Sequence, residues 1–336
     1  MPHKFFFHNL SNRHAPYHKS SELYFDQRAI LIAHAGDIIV TRYSFDLDYL
    51  SYMARFGFVE GITFLSPENS KPDRFWTEES FVDAVRKHVY SKIYFFDAYQ
   101  ADSDAITFAH TVGIEFEENV PIDFTSFVVL GKLEEQCGVF FLKKQWNEFF
   151  LRRGTIRFFD LKKDGTSASV CIFEDVIDYT TSEYAGSIFP SNFTAGEERI
   201  IILEASRILK VILKENYCST MAFEFAFSSE RHVIWLGIFP KKSGTFYAHE
   251  FAKRIGVQYY ATRLIHIPKF IGRKFLDLYN PIVPLLFPIN GKQRGVILYN
   301  VGGITKYGIF NVFVCGDDRG DVDGLVSILR MILVRP

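Results

Sequence analysis

The chain has 336 residues, with 38 lysines and arginines against 39 aspartates and glutamates and a formal net charge of −1. So even a balance argues against a general nucleic-acid binder, which carries a basic excess. A composition of 48% hydrophobic and 23% charged residues is that of a globular protein with the length for two or three domains, not of a disordered chain. The longest apolar runs fall short of the ~18 residues of a membrane helix, and the start lacks the apolar core of a secretory leader. No membrane is therefore expected as a partner. Cys137, Cys171, Cys218 and Cys315 stand far apart with no C-x-x-C pair. They read as reduced thiols in a cytoplasmic setting, not as a zinc knuckle or a disulfide framework.

Residues 1–27 contain His3, His8, His14 and His18 without the regular spacing of a metal site, and read as a polar arm or a strand lying on the body. "AILIAHAGDIIVT" (29–41) reads as an apolar strand, a Gly36-Asp37 turn and a second strand. Leu47, Leu50, Met53 and Ala54 follow at helical intervals, and "GITFLSP" is a further strand ending at a proline. "TEESFVDAVRKHV" predicts a helix capped by Thr77, and "SKIYFFDAY" the next strand. This alternation points to an α/β unit with a parallel sheet. From about residue 120 the texture changes to strands joined by short polar turns: "FTSFVVLGKL", "CGVFFLKK", "GTIRFFDL" and "ASVCIFEDVID". Thr194 and Glu197 then form a capping-box pattern ahead of Ile201, Ala205, Ile208, Leu209 and Ile212, which predicts a helix. "STMAFEFAF" and "RHVIWLGIF" predict a buried hairpin. "RGVILYN", "YGIFNVFVC" and "DVDGLVSILRMIL" predict two strands and a closing helix.

Together the α/β segment, the antiparallel lobe and the helix leading into a hairpin resemble the ATP-grasp architecture, and within it the peptide ligases of the pheganomycin type. Four stretches carry the likeness. "QRAILIAHAGDIIVTRYSFDLDYLSYMARFGF" is similar to the family's pre-ATP-grasp segment. "FVVLGKLEEQCGVFFLKKQWNEFF" is similar to its strand, lysine and phosphate-covering flap, with Lys132 as the phosphate lysine and Gly138 as the last flap glycine. "CIFEDVIDYTTSEYAGSIFP" is similar to the strand that meets the adenosine, with Glu174 in the acidic position. "KKSGT" resembles the basic Gly-Thr signature after the metal strand, through Lys241 and Lys242. The resemblance implies an α+β fold: an arm (1–27), a pre-ATP-grasp-like α/β domain (28–118), an ATP-grasp-like domain of antiparallel lobes (119–255) and a small C-terminal α/β domain (256–336).

It also implies chemistry. An ATP-grasp ligase converts a carboxylate to an acyl phosphate and lets an amine displace the phosphate, so lysines, flap amides and magnesium ions must neutralise a triphosphate. ATP is the implied cofactor, Mg²⁺ the implied metal, and a small-molecule carboxylate or amine the implied substrate. The sequence departs from the family pattern at the metal. Glu224 fits the first acidic ligand, but Gly237 and Phe239 stand where Glu and Asn are expected, and neither can ligate Mg²⁺ through its side chain. By residue type alone Lys132 reads as a solvated lysine, and Lys241-Lys242-Ser243-Gly244 reads equally as a solvated strand-end turn or an anion-binding turn. Arg42 and Arg55 read as surface charges, while His249 and Glu250 read as structural residues able to replace the missing ligands. Two functional readings remain open: an ATP-dependent carboxylate–amine ligase, and a degenerate relative that keeps the scaffold to bind a ligand or a protein partner.

Overall fold

The computed structural model describes residues 3–8, 20–68, 75–90, 92–99, 102–116, 127–141, 152–162, 164–178, 183–214, 219–227, 232–240, 242 and 244–334. They belong to two compact units, one made of residues 1–117, 247–257 and 263–336, the other of 118–246 and 258–262.

The first unit opens on a four-stranded, all-parallel sheet of β1 (His3–Phe7), β2 (Ile38–Val40), β3 (Thr63–Leu65) and β4 (Tyr94–Ala98), in the order β3-β2-β1-β4. The opening residues are thus an inner strand. "HKFFF" suits that place because an inner parallel strand is covered on both faces and needs an unbroken apolar run. Phe5, Phe6 and Phe7 are all buried. The helices between strands are α1 (Leu47–Ala54), α2 (Glu79–Val89) and α3 (Ser103–Val112), and Phe5 and Phe7 share a core with Phe81, Val85 and Phe108. The Gly-Asp turn is as expected, with a clear cause. Gly36 has φ +91°, and a Cβ there would strike the His3 ring. The Asp37 carboxylate accepts from the backbone N–H of Lys4 at 2.7 Å and of His34 at 2.8 Å, tying the turn to β1.

Three local expectations for this unit are corrected. "AILIA" is not a strand but the end of a 3-10 segment, Ser20–Leu31, whose Ala29, Ile30 and Leu31 are fully buried. A short apolar run is compatible with either state, and β1 takes the sheet position. Helix α1 buries Tyr49, Tyr52 and Met53 and leaves Leu47 79% exposed, so its inner face is aromatic. Helix α2 has Glu78, not Thr77, at its N-cap.

The second unit contains α4 (Phe127–Cys137), β5 (Arg152–Phe159), β6 (Ser169–Asp178), β7 (Glu183–Phe189), α5 (Ala195–Ile212), β8 (Met221–Phe227) and β9 (Val233–Phe239). The strands form an antiparallel run β7-β6-β5-β8-β9, joined at β7 by Tyr260 and Ala261 at the start of β10 (Tyr259–His266). One sheet face, with Ile156, Phe158, Ile172 and Phe223, is covered by Leu130 and Leu133 of α4 and by Ile201, Ala205 and Ile208 of α5. The capping box of α5 forms as expected: Thr194 Oγ1 accepts from the Glu197 N–H, and Glu197 Oε2 accepts from the Thr194 N–H at 2.7 Å. "FVVLGKL", expected as a strand, is instead helix α4. Its valines favour a strand locally, but Leu130 and Leu133, three residues apart, bury against the core only on a helix. The strand expected at "CGVFFLKK" is not seen in its described part: Cys137 ends α4, Gly138 turns the chain and Phe141 makes a single bridge to Trp235, while residues 142–144 lie outside the described residues.

Helix α6 (Gly244–Ile255) follows β9. The remainder of the first unit holds α7 (Phe275–Ile282), β11 (Gly295–Tyr299), α8 (Ile304–Tyr307), β12 (Ile309–Gly316) and α9 (Arg319–Val334). β11, β12 and α9 are the expected two strands and closing helix, and the strands pair antiparallel. The α+β class stands, with one parallel and one antiparallel sheet.

Candidate functional site

Strand β5 reads Arg153-Gly154-Thr155-Ile156-Arg157-Phe158, and strand side chains alternate between faces. Gly154, Ile156 and Phe158 face the helices. Arg153, Thr155 and Arg157 therefore line the opposite face, where cross-strand register adds Glu224 beside Thr155 and Ala222 beside Arg157.

Arg157 is fully buried. Its Nε donates to Thr245 Oγ1 at 3.1 Å and its Nη1 to Thr220 Oγ1 at 3.1 Å. Its guanidinium carbon is 5.9 Å from the Phe246 ring centroid, and the Lys242 ammonium is 5.6 Å from the same centroid. Lys242 is itself buried. The Thr245 and Thr220 hydroxyls and the Phe246 ring face are among the partners of these buried cations.

Next to them is an acidic pair. Both carboxyl oxygens of Asp175 lie 3.1 Å from Thr155 Oγ1. Burial, and then the neighbouring charge of Glu224, push the Asp175 carboxyl well above the usual carboxylate range, against the opposing effects of the Thr155 hydrogen bond and Arg153. The polar face continues at β7, where the Ser187 N–H donates to Thr262 Oγ1 at 3.0 Å.

The expected metal positions come together in space. Glu224 is directly opposite Gly237, and Ala222 opposite Phe239. A Cβ at Gly237 would be 2.7 Å from the Phe239 ring, so the ring occupies the room an acidic side chain would need. Among the described residues no group of three His, Cys, Asp or Glu could hold a metal. These residues do not fit an ATP-grasp Mg²⁺ site.

Other expected site residues fall elsewhere. Lys132 is exposed on α4, not at a strand end. Gly138 has φ +64° and its N–H bonds the Glu134 carbonyl at 2.9 Å, which ends the helix. Glu174 is on β6 as expected, but it pairs with Gly154, so its side chain leaves the sheet on the face opposite Glu224. Lys241 and Ser243 lie outside the described residues. His249 is buried on α6, and Glu250 pairs with Lys253 at 3.0 Å. Arg42, expected on the surface, is 2% exposed, whereas Arg55 is at the surface and donates to the Tyr279 hydroxyl at 2.5 Å. Sequence reasoning missed Arg153, Thr155, Arg157 and Asp175. The period-two polar pattern of β5 is the signal that exposes the first three.

No family model matches the chain, and no curated protein matches it. Solved structures do. The biotin carboxylase domain of a single-chain bacterial carboxylase superposes with a TM-score of 0.57 at 10% identity, covering 99% of this chain and 88% of that one. An Aspergillus clavatus carboxyaminoimidazole ribonucleotide synthase complexed with ATP gives 0.55 at 8% identity, covering 89% and 98%. The Staphylococcus aureus N5-carboxyaminoimidazole synthetase gives 0.55 at 8%, covering 99% and 97%. At such identities the likeness is one of fold alone: the chain shares the fold of these carboxylase and synthetase structures.

Proposed function

We propose that this chain binds ATP on the polar face of the antiparallel sheet and serves as an ATP-dependent carboxylate–amine ligase, of the kind found in the pheganomycin-type peptide ligases. The observation that carries the reading is the buried pair Arg157 and Lys242 against Phe246, held on the face that also bears Glu224. In the reaction a substrate carboxylate oxygen attacks the γ-phosphorus and ADP leaves. The amine then attacks the acyl carbon, inorganic phosphate leaves, and the amine proton passes to solvent. The cations neutralise charge on the transferring phosphoryl group. Glu174, whose side chain leaves the other face of the sheet, drops out of the binding set, and Lys241 is assigned to the phosphates with Lys242. Lys132 and Gly138 drop out of the binding set, the first because it points into solvent and the second because it ends a helix.

A second reading, a degenerate scaffold that binds a ligand or protein partner without turnover, is favoured by one observation, the Phe239 ring over Gly237. The ligase reading expects nucleotide binding with little need for Mg²⁺, because Glu224 is the one expected metal ligand that the sequence keeps. Thermal-shift titration with ATP, with and without a chelator, tests binding, and release of ADP with an amine and a carboxylate present separates the two. Absence of any nucleotide shift refutes the ligase reading and leaves the binding scaffold. An absolute Mg²⁺ requirement refutes the assignment of the phosphates to Arg157 and Lys242.

A further inference from the structure

A second group of buried charges belongs to the first unit. Asp26 docks on the end of β2, its Oδ2 accepting the Arg42 backbone N–H at 2.6 Å. Arg28, two residues on, is 6% exposed. Its guanidinium carbon lies 4.0 Å from the Phe25 ring centroid, 5.0 Å from that of Tyr247 and 5.8 Å from that of Tyr99. Its Nε donates to the Phe25 carbonyl at 3.1 Å. Its Nη2 is buried and has no hydrogen-bond partner, and Arg28 has no ion pair among the described residues.

The aromatic box is held rigidly. Tyr247 Oη is 2.6 Å from His8 Nδ1, and His8 Nε2 is 2.8 Å from Asp97 Oδ1. His8, Arg42 and Tyr99 each follow or lie just beyond the last residue of a parallel strand, β1, β2 and β4. Arg28 therefore belongs to the carboxyl end of that sheet, the end at which open α/β sheets bind ligands. A buried guanidinium with an unused N–H is costly unless an anion meets it. The nearby Asp26 leaves its Oδ1 without a partner and is close enough to feel the Arg28 charge. A dianion beside that carboxyl group is disfavoured, and a flat monoanion matches the guanidinium edge.

We propose that Arg28 anchors a carboxylate-binding site at the carboxyl end of the parallel sheet, framed by Phe25, Tyr99 and Tyr247, which takes the carboxylate of a small organic acid. The site rests on its own geometry, and the ligase reading enters only in making that acid a substrate.

The test is a thermal-shift series on the full chain at matched ionic strength. The probes are acetate, N-acetylglycine and N-acetylphenylalanine, each against its neutral amide, with inorganic phosphate as a further arm. At least one acid is expected to raise the melting temperature where its amide does not, and Arg28→Met to weaken that binding about tenfold or more. Equal shifts for every acid and its amide, no shift with any acid, or a shift with phosphate alone overturns the proposal. The acid–amide comparison uses the unaltered protein, so it stands even where Arg28→Met fails to fold. Should the variant fold with unchanged acid binding, Arg28 is not the anchor. An ATP shift without an acid shift overturns this inference and leaves the ligase reading. An acid shift without an ATP shift does the reverse.

Discussion

Replacing Asp26 with asparagine should change the pH dependence of stability in a defined direction. Burial pushes the Asp26 carboxyl from its ordinary 3.8 up to about 7, against the pull of the Arg42 N–H and of the Arg42 and Arg28 charges. The folded chain therefore keeps a proton that the unfolded chain releases. Between the two values the unfolded state binds fewer protons, so stability falls as pH rises, by about 1.4 kcal/mol per pH unit. A separation of about three units makes the whole effect on the order of 4 kcal/mol, fully present as a destabilisation above about pH 7. Asparagine keeps an oxygen to accept the Arg42 N–H and never ionises. Asp26→Asn should thus be near neutral below about pH 4, gain on the wild type steadily from there to about pH 7, and hold the full advantage above it. Urea unfolding followed by tryptophan fluorescence suits the measurement, because Trp76 is buried in the same unit. A difference between wild type and variant that stays constant from about pH 5 to about pH 8 would refute the reasoning.

The double substitution Gly237→Glu with Phe239→Asn should restore a carboxylate opposite Glu224 and an amide oxygen opposite Ala222 and make ATP binding Mg²⁺-dependent, read by calorimetry with and without chelator; unchanged metal dependence counts against the register argument. Lys132→Met should alter ATP affinity less than about twofold, since an exposed helical lysine adds little; a tenfold loss would return it to the phosphates. Arg157→Met should destabilise by about 2 kcal/mol through two lost hydrogen bonds, checked by denaturant midpoint. Thr194→Ala should cost about 1 kcal/mol by thermal melt, as loss of an N-cap does.

Wherever the determinants are local, the sequence is sufficient. The Thr194–Glu197 box sets the start of α5, Gly36-Asp37 sets the turn before β2, and period-two runs give β5, β6, β8 and β9. Glu224 and Gly237, the positions the family resemblance assigns to the metal, are cross-strand partners. Tertiary structure decides what local pattern leaves degenerate. "AILIA" and "FVVLGKL" are apolar runs that suit strand or helix equally, and their state depends on β1 holding the sheet and on Leu130 and Leu133 meeting the core. The site depends on longer reaches still. Arg157 finds Thr245 across 88 residues, Tyr247 finds His8 across 239, and the Phe239 ring turns back over Gly237. Such contacts are set by which faces the sheets bury, a property of the whole chain that is absent from any short stretch of it.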